Sequence, residues 1–597
     1  MVTRAVWGSR APRQATRAAL LTLAVGVSVV PAKGQDIESD SGPAVCSEGI
    51  VSGIELDRKS VFDPDATDVR AVAWTYRTMN LLHVRTAPSF IRRELLFEEG
   101  DCFDPFLVSE SERLLDAYDF MSQAAITTED DEDGGRRVLV STQDEWSTQL
   151  DVGVTYDGGP NLERLSVREE NFLGQGVFAE FTHRDRRETR LNSFSLSTPR
   201  FFGRADAGIA WGKARPGSFF RQHLRYPFIG ETGEYSFRQG YGRGTQFFSY
   251  STEGAGGISQ VLLPAYRELI EFSAARRFGE PGKSFIVGLS LTRDVADFRS
   301  APQVILVDDF DDLQDFPGEL PPPLARQITP SAATRLALQL GTRRFHYRAY
   351  EGLDGIRDRM VVSLGFFAGV TIGRGFSVLE KDGVPGVDDL FGRVHGSFGA
   401  AAGSSLFHGR ATVETRRDDG RWKDVLGDAD VVAYLRDDDL KSHTLFLRAS
   451  VAGGWSTTLP YQLSLGGREG VRSLVEDRFP GGRMARFVAE DRVVLPWPSA
   501  GTADLGLTLF TDVGRVWPGD VPYALDSGWQ AAVGFGLRVG FPSGSRQAWR
   551  TDVAFPVGPT GGSPIFRFAI ELNSLRAGFF SPDVSRSRRF NLGAEDF

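Results

Sequence analysis

The sequence is poor in the residues that most often carry out chemistry. Its 597 residues include only 2 cysteines and 7 histidines, and the histidines are scattered without the H-E-x-x-H spacing of a metallohydrolase. The G-x-S-x-G elbow of a serine hydrolase is also missing, and two cysteines are too few for a disulfide scaffold. We therefore expect a protein that is not an enzyme, with no catalytic residue, no metal site and no cofactor.

Positive charge is scarce as well. The chain has 68 Lys and Arg residues against 78 Asp and Glu, a formal net charge of −10, which argues against a nucleic-acid partner. The acidic excess is concentrated in residues 35–145, which hold 25 acidic and 10 basic side chains. Glycine and aromatic residues, by contrast, are abundant, with 67 Gly, 44 Phe, 13 Tyr and 10 Trp. With 41% hydrophobic residues, this composition favours a large β-rich protein over a disordered one.

Residues 1–34 have the pattern of a secretory signal peptide. Four arginines precede an apolar stretch, Ala18–Val30, that is too short to cross a bilayer; a tethering helix is the alternative. Residues 35–45 are polar and are predicted to be a linker. An exported chain can keep a disulfide, so we expect Cys46 and Cys102 to be paired, with two unpaired thiols as the alternative.

Residues 46–145 predict a small α+β domain. Apolar periodicity and turn residues divide this segment into a β-α-α-β-β unit. The predicted elements are a strand at 50–56, helices at 86–97 and 104–118, and strands at 125–128 and 137–142.

Residues 147–573 predict a mostly β structure, because alternating segments recur there between Gly, Asp and Pro turns. In one such segment Leu505, Leu507 and Leu509 fall on one face while Asp512 falls on the other. A soluble sandwich would show the same alternation. The leader, the number of segments and the lack of sandwich cysteines favour a transmembrane antiparallel β-barrel of about sixteen strands.

The most specific motif lies in a glycine-rich loop and the strands that follow it. Its members are Gly466, Gly467, Val471 and Arg472 in the loop, Glu490 in the next strand, and Phe510, Asp512 and Gly514 in the strand after that. The pattern resembles the BamA/TamA superfamily of outer-membrane assembly factors, also called bacterial surface antigens. In that family the sixth extracellular loop carries a V-R-G-[FY] motif and folds into the barrel.

This resemblance has a direct implication for the loop arginine. It implies that Arg472 pairs with Asp512 inside the barrel, with Glu490 as a second candidate partner. The chain departs from the family pattern at Ser473 and Leu474, where the family has glycine and an aromatic residue.

The N-terminal segment is similar to the POTRA domain of the same family. The helix at 91–96, the G-D-x-[FY]-D pattern at 100–104 and the helix at 110–120 carry this similarity, and residues 57–84 would be an insertion. The resemblance implies a bacterial outer-membrane barrel with its POTRA-like domain in the periplasm. Residues 574–597 form a C-terminal tail without an assignment.

The function implied by the resemblance is the insertion or translocation of client proteins. The barrel seam would open laterally and pair with a β-segment of the client. Expected partners are outer-membrane lipid, unfolded barrel or secreted proteins, and periplasmic accessory proteins. Alternatives are a two-partner-secretion transporter with one dedicated passenger, a passive porin or structural surface barrel, and a barrel phospholipase.

Overall fold

The computed structural model describes residues 46–571 except 67, 132–133, 157–159, 186–189, 299, 308–311, 378–382, 438–441, 468–469, 498–501 and 559–561. The predicted signal peptide, the linker and the C-terminal tail lie outside the described residues. None of the described helices is long and apolar enough to cross a membrane.

The N-terminal domain contains the predicted β-α-α-β-β unit and one further helix, α1, in its first connection. Its elements are β1 (Val51–Lys59), a short 3-10 helix (Pro64–Ala66), α1 (Arg70–Leu82), α2 (Pro88–Glu94), α3 (Pro105–Asp116), β2 (Met121–Asp130) and β3 (Arg136–Asp144). The sheet order is β1-β3-β2, with β1 parallel and β2 antiparallel to β3. The strands and the two predicted helices therefore lie where their apolar periodicity placed them.

Helix α3 shows how the sequence fixes this domain. The helix begins after Asp104, whose carboxylate accepts a hydrogen bond from the Phe106 backbone N–H at 2.8 Å, and Pro105 occupies its first turn. Its apolar face buries Val108 and Leu115 against the sheet and α2. Burying such a face stabilises the domain by roughly 2 kcal/mol for each large side chain.

The remaining chain forms one large antiparallel sheet. Its first strands are β4 (Thr148–Tyr156), β5 (Pro160–Phe172), β6 (Val177–Asp185), β7 (Arg190–Phe202), β8 (Ala205–Ala214), β9 (Gly217–Tyr226), β10 (Tyr235–Ser251), β11 (Ile258–Glu280) and β12 (Lys283–Asp297). A connection with β13 (Gln303–Leu306), β14 (Gln314–Asp315) and α4 (Pro322–Arg326) leads to β15 (Ser331–Glu351), β16 (Arg359–Phe376), β17 (Leu390–Ala402), β18 (Ser405–Asp418), β19 (Arg421–Leu435) and β20 (His443–Trp455). A loop with the short strands β21 (Leu463–Ser464) and β22 (Pro480–Gly481) precedes β23 (Arg483–Val494), β24 (Asp504–Trp517), β25 (Gln530–Gly540), β26 (Ala548–Val557) and β27 (Ile565–Glu571).

The sheet has about twenty strands, so the predicted number of sixteen was too low. The prediction allowed too many residues for loops. Several strands follow one another through two-residue turns, such as Gly203-Arg204 between β7 and β8 and Arg215-Pro216 between β8 and β9. Residues that the prediction assigned to loops therefore belong to hydrogen-bonded strands of the sheet.

The strands are arranged in the order of a barrel, in which β27 and β4 are neighbours. Consecutive long strands pair antiparallel all the way from β4 to β27. Strands β27 and β4, the last and the first of the sheet, meet at one place in the wall, and we call this place the seam.

Side chains alternate across the sheet wall as the sequence predicted. In β24 Leu507 and Leu509 are exposed on the outer side, whereas Thr508, Phe510 and Asp512 are buried on the inner side, the lumen. Exposed apolar side chains occur on nearly every strand of the outer wall. An outer surface of this kind, around a polar interior, is that of a barrel that contacts lipid.

The N-terminal domain packs on one end of the barrel, which we call the domain rim; the opposite end is the far rim. Buried ion pairs join the two parts. Arg200, near the end of β7, lies 2.6 Å from Glu94 of α2, and Arg546, between β25 and β26, lies 2.6 Å from Asp116 of α3. Because two separate sectors of the rim are held in this way, the domain has a fixed position against it.

The connection from the domain to β4 is also buried. Both carboxylate oxygens of Glu145 accept hydrogen bonds, from the Ser545 hydroxyl and from the Arg546 backbone N–H. Burial raises the pKa of Glu145 above its ordinary value despite these bonds. A carboxyl held in this way stabilises the docked domain less as the pH rises through its pKa.

We predict that Arg546→Ala loosens the domain from the rim. Removing one partner of a buried ion pair costs about 3–5 kcal/mol, so backbone amides of α3 should exchange with deuterium faster in the full-length protein. The control is Arg137→Ala, which removes an exposed pair with Glu55 and should change exchange little, since such pairs contribute about 0–1 kcal/mol. Equal exchange in both variants would contradict the proposed role of Arg546.

Candidate functional site

The predicted glycine-rich loop leaves the far rim between β20 and β23 and folds into the lumen. Strands β21 and β22 pair to form its neck. Its tip is a tight turn, in which the Val471 N–H donates to the Leu465 carbonyl and the Leu474 N–H donates to the Val471 carbonyl. The tight turn forms although Ser473 occupies the position of the family's glycine. Leu474 packs at the edge of an apolar cluster that contains Leu465 and Val471.

Two glycines make this close folding possible. A Cβ atom on Gly466 would lie 1.9 Å from the Val475 carbonyl oxygen, which no side chain could tolerate. A Cβ atom on Gly514 of β24 would lie 2.6 Å from Leu465 and 3.2 Å from Val471. The glycine of the strand motif therefore leaves the space in the wall into which the loop tip fits. Gly467, with a φ of +95°, has a backbone conformation that favours glycine.

Arg472 is buried in the lumen and reaches three acidic side chains. Its guanidinium contacts both carboxylate oxygens of Asp512, with Nη2–Oδ1 at 2.6 Å and Nε–Oδ2 at 2.8 Å. The Arg472 backbone N–H also donates to Asp512, at 3.1 Å. Nη1 lies 2.8 Å from Glu490 and 3.3 Å from Asp552. The Phe510 ring lies beneath the guanidinium, with its centroid 3.5 Å from Cζ.

These contacts belong to a larger ion cluster, which Arg492 also joins to Asp354 of the turn between β15 and β16, at 3.6 Å. Its members are Arg472, Arg492, Arg550, Glu490, Asp512 and Asp552. Glu490 is its centre, because Arg492 and Arg550 also reach it, each at 2.9 Å. Arg550 is bound in turn to Asp552 at 2.8 Å. Charges taken out of water are tolerated only when they are paired in this way, so we treat the six residues as one unit, the lumenal ion cluster.

The loop tip is also bound to the last strand. Arg567 of β27 donates hydrogen bonds to the carbonyl oxygens of Arg472, at 2.9 Å, and Leu474, at 2.6 Å. The loop therefore contacts β23, β24 and β26 through the ion cluster and β27 through its backbone. These are four of the last five strands before the seam.

A second segment enters the lumen from the domain rim. The turn 352–358 between β15 and β16 buries Leu353 and Ile356. The Leu353 carbonyl accepts a hydrogen bond from Arg492 of the ion cluster at 2.9 Å, and Tyr434 donates to Asp354 at 2.5 Å. The loop and the turn thus enter the lumen from opposite ends, and they are linked through Glu490, which both Arg472 and Arg492 contact.

The sequence indicated part of this site. The structure brings together Val471, Arg472, Glu490, Phe510, Asp512 and Gly514, with Gly466 and Gly467 in the same loop. The sequence motifs did not point to Asp552, Arg550, Arg567 or the inserted turn. For Arg567 a signal was present, because the alternation of side chains along β27 places it on the inward face with the other lumenal arginines.

The two cysteines are not part of this site. Both Cys46 and Cys102 are disulfide-bonded, and neither is free.

No family model matches the chain, and no curated protein matches it. Among solved structures, it is similar to BamA from Haemophilus ducreyi lacking POTRA domains 1–3, with 13% identity over 87% of this chain and 83% of that one and a TM-score of 0.33. It is also similar to CdiB from Acinetobacter baumannii (10% identity, 87% and 73%, TM-score 0.39) and to CdiB from Escherichia coli (11% identity, 89% and 92%, TM-score 0.34). BamA gives its name to the superfamily that the sequence motifs resemble. At these TM-scores the backbones superpose only loosely, so we build the function from the contacts of this chain.

We predict that Arg472 and Asp512 act as one unit. Arg472→Ala and Asp512→Ala should each lower the thermal stability of the full-length protein in detergent, because each leaves buried charge without its partner, at a cost of about 3–5 kcal/mol. The double variant should be little worse than either single variant, since both remove the same interaction. Strictly additive losses would contradict the pairing.

Two controls accompany this test, one for the geometry of the ion pair and one for the loss of an exposed pair. Arg472→Lys keeps the charge but loses the two-pronged contact with Asp512, so it should behave more like Arg472→Ala than like the wild type. Arg515→Ala removes an exposed pair with Asp526 on the same strand. That loss should have little effect, about 0–1 kcal/mol.

Proposed function

We propose that the chain is an outer-membrane barrel of the BamA/TamA type that inserts or translocates client proteins. The observation that carries the proposal is the loop arginine Arg472, held in the lumen by Asp512 of the F-x-D-x-G strand. The V-R and F-x-D-x-G motifs of that superfamily thereby meet in one ion pair. The N-terminal domain would lie in the periplasm, where β2, an edge strand of its sheet, would pair with an incoming extended segment.

The contacts of the loop suggest how the barrel would act. The lateral opening that we propose takes place at the seam, where the last strand β27 meets the first strand β4. An unpaired strand edge is a template for another β-strand. Because Arg567 binds the loop tip to β27, the loop would hold the last strands in register while the edge of β4 pairs with a client.

The two segments inside the lumen favour this function over a passive porin. A porin needs an open aqueous channel, whereas here the loop and the turn 352–358 both enter the interior, where Arg472 and Arg492 share Glu490. The same interior also weighs against an open path for a dedicated passenger. The loop would have to leave the lumen before a polypeptide could pass.

Depletion of the protein followed by quantitative proteomics of the outer membrane tests the function. General assembly predicts a broad loss of unrelated barrels, and a strain with Arg472→Ala should show the same pattern to a smaller extent. A strain with Arg515→Ala serves as the matched control. Loss of one secreted or surface protein would instead identify a dedicated transporter, and an unchanged outer membrane would contradict any role in assembly.

The orientation of the wall in lipid gives a separate prediction. Leu509 is exposed in the middle of β24, so Leu509→Arg should destabilise the barrel folded in lipid vesicles by about 2–4 kcal/mol. Leu509→Ala, which removes the same side chain without adding charge, should cost much less. Urea unfolding in vesicles measures both variants. Equal unfolding midpoints would contradict the contact with lipid.

A further inference from the structure

Helix α1 lies in the connection between β1 and α2, where the β-α-α-β-β unit has no need of a helix. One face of the helix is anchored. Tyr76 is fully buried against Phe62, with ring centroids 4.9 Å apart, and Val72 and Met79 pack on the same small cluster. The helix therefore has a fixed position although it is no part of the domain's main core.

The anchor places α1 against the outer side of the barrel. Phe535 and Leu537 of β25 are exposed on the outer wall. Phe541 directly follows β25 and, by the same alternation, faces outward as well. The Phe541 ring lies 5.2 Å from Phe62 and 5.9 Å from Tyr76. Because Phe541 faces outward, the helix meets the barrel where its lipid-facing surface ends at the domain rim.

The opposite side of α1 is exposed and carries three apolar side chains, with Arg77 and Thr78 between Trp74 and Leu81. Trp74, Leu81 and Leu82 are 67%, 85% and 77% exposed, and Trp74 and Leu81 are two helical turns apart on one side. The helix has two basic residues, Arg70 and Arg77, and no acidic one. In a segment with 25 acidic and 10 basic side chains, this composition is unusual.

We propose that α1 is an interfacial helix that lies in the anionic phospholipid surface at the domain rim. An amphipathic helix with Trp and Leu on one face and arginines beside them binds such a surface by burying its apolar side chains at the boundary between headgroups and acyl chains. Tryptophan is also enriched at this depth in membrane proteins. The buried face of α1 packs on Phe541, where the apolar outer wall ends at the domain rim, so the exposed side chains lie beside the lipid-facing surface, which favours lipid over a protein partner.

The helix also lies beside the seam. Phe62 contacts Phe541 at the end of β25 and lies 6.2 Å from Trp146, which precedes β4. Strands β26, β27 and the seam lie between these two points of the barrel wall. A helix embedded here would hold the rim of the seam at the level of the lipid headgroups. This inference rests on the proposed membrane barrel.

Site-directed spin labelling of the full-length protein in nanodiscs of phosphatidylethanolamine and phosphatidylglycerol tests the proposal. Labels are placed singly by Leu81→Cys on α1, by Phe535→Cys on the outer wall and by Glu55→Cys, an exposed position of β1. No reductant is used, so that the disulfide-bonded cysteines stay unlabelled. The ratio of collision rates with oxygen and with a water-soluble nickel complex then reports whether each label is in lipid or in water.

We expect the Leu81→Cys label to give an oxygen-to-nickel ratio severalfold above that of Glu55→Cys and below that of Phe535→Cys. A water-like ratio at Leu81→Cys beside a lipid-like ratio at Phe535→Cys would overturn the proposal and leave the barrel placement intact. Water-like ratios at both positions would instead overturn the membrane barrel itself. Equal ratios at Leu81→Cys in anionic nanodiscs and in phosphatidylcholine nanodiscs would overturn the assignment of an anionic surface.

Discussion

The structure depends on one electrostatic constraint, the pairing of charges that the sheet turns inward. A wall with an apolar outer side must place its polar residues in the lumen, and charges there are stable only with partners. The strands supply Glu490, Asp512, Asp552, Arg492 and Arg550, and the loop supplies Arg472. Without Arg472 the strands contribute three carboxylates and two guanidinium groups to this cluster, and Asp354 of the turn is a further acid beside Arg492, so the loop arginine supplies positive charge that the strands lack.

This charge pairing links the loop to the strands beside the seam. Because a buried, two-pronged ion pair has few alternative geometries, Arg472 fixes the loop tip in one position relative to β23, β24 and β26. Arg567 then extends the same restraint to β27. If the loop left its site, Arg472 would lose its ion pairs and Arg567 of β27 would lose its hydrogen bonds to the loop at the same time. This shared loss is a physical basis for coupling the interior of the barrel to its seam.

Local pattern predicted much of this arrangement. The alternation around Leu507 and Asp512 gave the two faces of β24 because side-chain direction in a strand depends only on parity. The elements of the N-terminal domain followed from apolar periodicity and from turn residues. The pairing of Arg472 with Asp512 came from the family resemblance, and parity independently pointed Asp512 inward.

The features of the site that the sequence pattern did not reveal depend on contacts between distant parts of the chain. The meeting of Arg472 with Asp552 and Arg567 requires the curvature of the whole sheet, which no local pattern encodes. The strand number was too low because two-residue turns such as Gly203-Arg204 leave few marks between alternating segments. The local sequence of the turn 352–358 does not mark it as lumenal, whereas its contact with Arg492 does.

The most direct test of the central claim is crosslinking in living cells from the edge of the seam. A photoreactive amino acid replaces Leu150, an exposed residue of β4, and in a second strain it replaces Leu509, which is equally exposed in the middle of the wall. Our account predicts that other outer-membrane or secreted polypeptides are captured from position 150 and not from position 509. Capture of the same proteins from both positions, or of lipid alone from both, would contradict it.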